Sequence, residues 1–257
     1  MSQEGIVISV SGKGGVGKST VTALLLKVMV DAGKSSILAV DADPDSNLAD
    51  ILGVKAHKTV AMVASKLKQD IAAGRFPPDF SKRDYFETKI FEILCEEAGF
   101  DLLVMGRGEG EGCYCAVNDL LTSILDTLSK NYSVTIMDME AGLEHLSRRT
   151  DRDVDVMIVV VDRSRLGYLT AKRIKELARE VHIDFKRILA VGNNVEPEFE
   201  ETVRKRVVEA GLEFAGFIPS DPNIASYDLE GKSLLELSGD SPAVKAAKEI
   251  AEKLGLI

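Results

Sequence analysis

At 257 residues the chain is long enough to bury a full core as one large α/β domain, with no second unit required. Its 32 Lys and Arg stand against 41 Asp and Glu, and a net charge of -9 repels phosphate backbones and acidic headgroups, so neither nucleic acid nor membrane is expected as a main partner. The start, Met1-Ser2-Gln3-Glu4-Gly5, has no basic n-region and Ile6 to Val10 is too short for a signal core or a span, which argues for a cytoplasmic protein.

Along the chain, short apolar runs alternate with helical patterns. Strands are expected at Ile6 to Val10, Ser36 to Val40, Leu102 to Met105, Val134 to Met137, Val156 to Val161, Ile188 to Val191 and Phe214 to Phe217. Helices are expected at Thr20 to Ala32, Asn118 to Leu128, Tyr168 to Val181, Pro197 to Ala210 and Pro242 to Leu254. This order predicts an α/β fold: a doubly wound, mostly parallel sheet of seven or eight strands with helices on both faces. One domain, 1–257, would carry an irregular excursion at about 54–98, where Pro77-Pro78 breaks a helical stretch from Val60 to Ala73. Cys95, in the apolar helical stretch Ile90 to Ala98, is expected to be a core thiol.

Directly after the first strand stands Gly12-Lys13-Gly14-Gly15-Val16-Gly17-Lys18-Ser19-Thr20, which fits G-x-x-x-x-G-K-[ST] in its strand-to-helix context. Its glycines permit backbone angles that turn successive N–H groups toward one point, and the next helix aims its positive end there. Phosphates of ATP or ADP fit that point, with Lys18 reaching the β- and γ-phosphates and the Ser19 hydroxyl on Mg²⁺. The second strand ends in Asp41-Ala42-Asp43-Pro44-Asp45-Ser46, three carboxylates at alternate positions suited to holding Mg²⁺ and to orienting water, with Asp41 supporting either Mg²⁺ or the loop; a capping turn is the other reading of Asp45 and Ser46.

Gly106-Arg107-Gly108-Glu109-Gly110-Glu111-Gly112 leads to Cys113-Tyr114-Cys115, two thiols at the end of a low-bulk loop and at the start of a helix whose positive end favours thiolate. A C-x-C pair supplies only two ligands where stable thiolate sites take four, so if Cys113 and Cys115 face their symmetry mates, one soft or borderline metal can sit on a twofold axis between two copies. Further on, Val134 to Met137 runs into Asp138-Met139-Glu140-Ala141-Gly142, an aspartate able to hold a Mg²⁺-bound water, followed by a glycine N–H able to sense the γ-phosphate.

Lys13, early in the loop, resembles the signature lysine of the deviant Walker A motif of the MinD, ParA and nitrogenase iron protein superfamily. That resemblance implies a P-loop ATPase acting as a homodimer, in which Lys13 crosses to the partner's nucleotide and takes part in hydrolysis. It also implies that Asp43 orients the attacking water, and that Asn193 and the Pro219 loop contact adenine, against a turn-forming role for Asn193-Asn194. Gly112-Cys113-Tyr114-Cys115, the Asp41 to Ser46 segment and Asp138 to Leu146 together resemble the CooC family and its relative AcsF, which mature the nickel enzymes carbon monoxide dehydrogenase and acetyl-CoA synthase. Glu140 departs from the Gly expected in the nearest members. The resemblance implies an ATP-driven nickel chaperone for one of those enzymes, with Ni²⁺ or Zn²⁺ as the metal held by Cys113 and Cys115 of two copies. Two other readings stand beside it: an iron-sulfur carrier or reductase of the nitrogenase iron protein type, and a ParA- or MinD-like positioning ATPase. His145 follows the Asp138 segment, where packing competes with a nucleotide or metal role, and His57 and His182 are expected at the surface or at helix ends.

Overall fold

The computed structural model describes residues 5–76, 81–107, 127–140, 154–180 and 185–257. The elements are β1 (Ile6–Gly12), α1 (Lys18–Asp31), β2 (Ile37–Ala42), α2 (Asn47–Leu52), α3 (Val60–Ala72), α4 (Lys82–Phe91), β3 (Cys95–Glu97), β4 (Phe100–Val104) and β5 (Val134–Met139). There follow β6 (Val156–Val161), α5 (Arg165–Glu180), β7 (Arg187–Asn193), α6 (Pro197–Glu209), β8 (Glu213–Ile218), α7 (Pro222–Glu230) and α8 (Pro242–Leu254).

Eight strands form one sheet in the order β3-β4-β2-β5-β1-β6-β7-β8. Every neighbouring pair is parallel except β3 and β4. The apolar runs are long because both faces of the sheet are covered. In β6, Val156, Ile158 and Val160 pack into one cluster while Met157, Val159 and Val161 pack into the other. Ile37 and Ala39 likewise face the first cluster, and Leu38 and Val40 the second. Period-two alternation thus persists with no polar face to reveal it.

One face is covered by α1, α2 and α8, the other by α3 to α6. Leu24, Leu25 and Leu26 on α1 are completely buried between the sheet and α8. Burying each such side chain contributes about 1.5–3 kcal/mol, which makes α1 a rigid carrier for the loop at its N-terminus.

Two expectations change in the excursion. It holds α3, α4 and β3, so it is more regular than its composition suggests. The stretch from Ile90 to Ala98 is not helical throughout. α4 stops at Phe91, and Cys95 lies in β3, paired antiparallel with Leu102 across a turn at Gly99. Nine residues are too few for apolar spacing to separate the two periods. Cys95 is half-buried, and burial followed by the neighbouring Glu97 pushes its thiol pKa up, as in an unreactive thiol. The expected helix Asn118 to Leu128 falls almost wholly outside the described residues, as does His182, while His57 is exposed.

β1 lies between β5 and β6, the place where strand order reverses. The carboxyl ends of β1, β2, β5, β6 and β7 therefore meet at one crevice, where open α/β sheets place ligands.

Candidate nucleotide site

The loop from Gly12 to Gly17 occupies that crevice. Val16 N–H donates to the Lys13 carbonyl at 3.3 Å, closing the turn, and α1 starts at Lys18. Gly17 sits in the left-handed region with φ 88°, and a Cβ there would stand 2.3 Å from Asn193 Nδ2. Only glycine serves at that position. Among the described residues no side chain caps the first turn of α1, and no acid lies in that turn, so its first N–H groups meet no competing acceptor there.

The cleft measures ≈ 790 Å³ and is lined by Gly15, Lys18, Ser19 and Thr20 together with Asn193 and Pro219. Residues that the motifs did not flag extend its wall: Ile51 on α2, Ile224 and Asp228 on α7, and Lys232. Their only sequence signal is position, since Ile51 comes after β2 and Ile224, Asp228 and Lys232 come after β8.

Asp41 and Asp138 are register partners on adjacent strands, and both are fully buried. Asp41 accepts the N–H groups of Asp43 at 3.3 Å, Leu48 at 3.0 Å and Ala49 at 3.4 Å. It therefore caps α2 from upstream and holds the Asp43 loop, while Ser46, the residue at the cap position, makes no side-chain cap bond. Burial, and then the Asp138 charge, push the Asp41 pKa up to about 7. Neither Asp138 oxygen meets a hydrogen-bond partner among the described residues. Burial raises its pKa to about 6, although the nearby Ser19 hydroxyl and Lys18 ammonium pull the other way. A buried carboxylate with both oxygens unsatisfied beside a Ser hydroxyl fits a hydrated divalent cation, and Ser19 and Asp138 are the pair that fits best.

Asp43 borders the cleft; one of its oxygens accepts Asp45 N–H at 3.0 Å and its carbonyl accepts Ser46 N–H. Asp45 pairs with Arg107 at 2.9 Å. Lys13 pairs within its own chain with Asp162, at the end of β6, at 3.6 Å. Asp162 is a partner that sequence reading did not single out. Gly142, Cys113, Cys115 and His145 lie outside the described residues, and among the described residues no cluster of three or more metal-ligating side chains occurs.

Arg107 is the last described residue before the cysteine segment, and the chain is anchored just ahead of it. Met105 N–H donates to the Asp41 carbonyl at 2.9 Å, the Met105 carbonyl accepts Ala61 N–H, and Gly106 lies so close to Thr59 that a Cβ would stand 2.4 Å from Oγ1.

The sequence profile of the CobQ/CobB/MinD/ParA nucleotide binding domain matches residues 7–235. The chain belongs to this family. It is 50% identical over 249 residues to an uncharacterized ATP-binding protein of Methanocaldococcus jannaschii, covering 97% of this chain and 98% of that one. It is 34% identical over 241 residues to the carbon monoxide dehydrogenase accessory protein CooC of Rhodospirillum rubrum, covering 90% of each. A ParA family ATPase from Chlorobium tepidum TLS superposes with TM-score 0.73 at 18% identity, over 96% of this chain and 98% of that one, a likeness of fold. The eight-stranded, mostly parallel sheet with its helices is therefore the fold of MinD/ParA-type proteins. Among the described residues no helix is long and apolar enough to cross a membrane.

Proposed function

We propose that this family member hydrolyses ATP as a homodimer and carries a divalent metal, nickel or zinc, on Cys113 and Cys115 for insertion into carbon monoxide dehydrogenase or acetyl-CoA synthase. The observation that carries the proposal is the 34% identity to CooC across 90% of the chain, joined to the C-x-C pair that follows β4.

The chemistry follows from the cleft. The uncapped first turn of α1 and Lys18 hold the triphosphate, and the base lies toward Asn193 and Pro219. Ser19 and Asp138 would hold Mg²⁺, which when bound draws charge from the terminal phosphate. Asp43, fixed through Asp45, orients the water that attacks the γ-phosphorus and breaks its bond to the β-γ bridging oxygen, giving ADP and phosphate. Lys13 exchanges Asp162 for phosphate across the twofold axis, and the Gly142 N–H senses whether γ-phosphate is present. Asp45 carries Arg107, so movement of the Asp43 loop reaches the chain that leads to Cys113.

Exchanging Cys113 and Cys115 together for Ser tests the metal half of this reading. Equilibrium dialysis with Ni²⁺ and with Zn²⁺ is expected to give one thiolate-dependent metal per two chains in wild type and none in the variant, with ATPase turnover retained. Metal bound equally by wild type and variant removes the carrier role.

A further inference from the structure

Asn193 closes β7, opposite Ile218 of β8 in register. Beyond it Asn194 turns in the left-handed region at φ 53° and donates its N–H to the Ile218 carbonyl at 3.0 Å, which sets the direction in which the Asn193 side chain leaves the strand. That side chain reaches the glycine loop: Asn193 Nδ2 donates to the Val16 carbonyl at 2.9 Å, across 177 residues of chain. The contact is tight, because Gly17 has room for no more than a hydrogen beside Nδ2.

Val16 is thereby held in both peptides that flank it: its N–H, in the Gly15–Val16 peptide, donates to the Lys13 carbonyl, and its carbonyl, in the Val16–Gly17 peptide, accepts from Asn193. In a trans peptide the carbonyl and the following N–H point in opposite directions. Fastening the Val16 carbonyl to Asn193 therefore turns the Gly17 N–H away from Asn193, and Gly17 is the last residue before the uncapped N-terminus of α1.

From this geometry we infer that Asn193 is a positioning residue for the phosphate loop: its amide presets the Val16–Gly17 peptide, and through it the donor array that receives the triphosphate, whatever base is attached. The inference rests on the nucleotide reading above and adds a role to a residue otherwise assigned to adenine. One amide N–H is already committed to the loop, which leaves the carbonyl and the second N–H facing the cleft.

The test measures wild type and Asn193→Ala for Kd of Mg·ATP and of Mg·tripolyphosphate, the thermal midpoint without ligand, and hydrogen exchange of the amides of residues 13–19 without ligand. Positioning predicts that both affinities fall by the same factor, about three- to tenfold for one neutral hydrogen bond. It also predicts faster exchange in the loop, with the ligand-free thermal midpoint lowered by no more than the few degrees (about 2–4 °C) that one hydrogen bond contributes. If only the ATP affinity falls while tripolyphosphate binding and loop exchange stay as in wild type, Asn193 reads the base alone and the inference is overturned. Asn193→Leu occupies similar space without a donor and gives the same readings should the alanine variant fail to fold. Wild type binding neither ligand would remove the nucleotide reading and the inference together, whereas wild-type binding with an unaffected variant removes the inference alone.

Discussion

Asp41 and Asp138 lie buried side by side on β2 and β5. Both ionise near 3.8 in an unfolded chain but at about 7 and about 6 in the folded one, so between those values the folded state holds the extra protons. Their contribution to stability is fully present below about pH 4 and is lost as pH rises through about 6 to 7. The metal-free protein is therefore expected to melt at a lower temperature at about pH 8 than at about pH 5. Asp138→Asn is expected to flatten that decline and raise the metal-free midpoint at the higher pH, while abolishing the stabilisation by Mg·ATP. A variant that keeps the wild-type slope and the Mg·ATP response would show that Asp138 is not the uncompensated buried charge. The spacing of Gly12 to Ser19 was legible because phosphate binding needs those residue types in that order. The choice between Mg²⁺ and the loop for Asp41 was not, because Asp41 acts on Leu48 and Ala49, amides whose approach depends on where α2 begins.

At the scale of elements, the connection from β4 toward the cysteines is set by close backbone approach. Gly106 has φ 70° and faces Thr59, the cap of α3, whereas Gly74 has φ 65° and open space where a Cβ would go. Gly74→Ala is expected to cost about 1 kcal/mol, the left-handed strain alone. Gly106→Ala is expected to cost roughly 1–3 kcal/mol more, because Thr59 must shift and give up its cap bond to Met62. Urea unfolding of the two variants measures the difference, and equal losses would mean that the approach to Thr59 has no energetic weight. Strand and helix order was readable here because the long apolar runs have both faces covered. What escaped was β3, a three-residue edge strand too short for period-two alternation to show beside the helix that precedes it.

For the whole molecule, the central claim is that two copies close on each other over nucleotide and metal. The Lys13–Asp162 pair is partly exposed at 3.6 Å, a contact of the class that contributes about 0–1 kcal/mol, so exchanging it for a phosphate on a second chain costs little. The net charge of -9 opposes association, which makes bound cations and the closing of charged groups onto one another the expected drivers. Sedimentation equilibrium is the direct measurement, run on the protein alone, with a non-hydrolysable Mg·ATP analogue, with Ni²⁺ or Zn²⁺, and with nucleotide and metal together. A 27.9 kDa species is expected without ligands and twice that mass when both are saturating, with Lys13→Ala weakening the nucleotide-driven step. A chain that sediments as a single copy with both ligands saturating would contradict it.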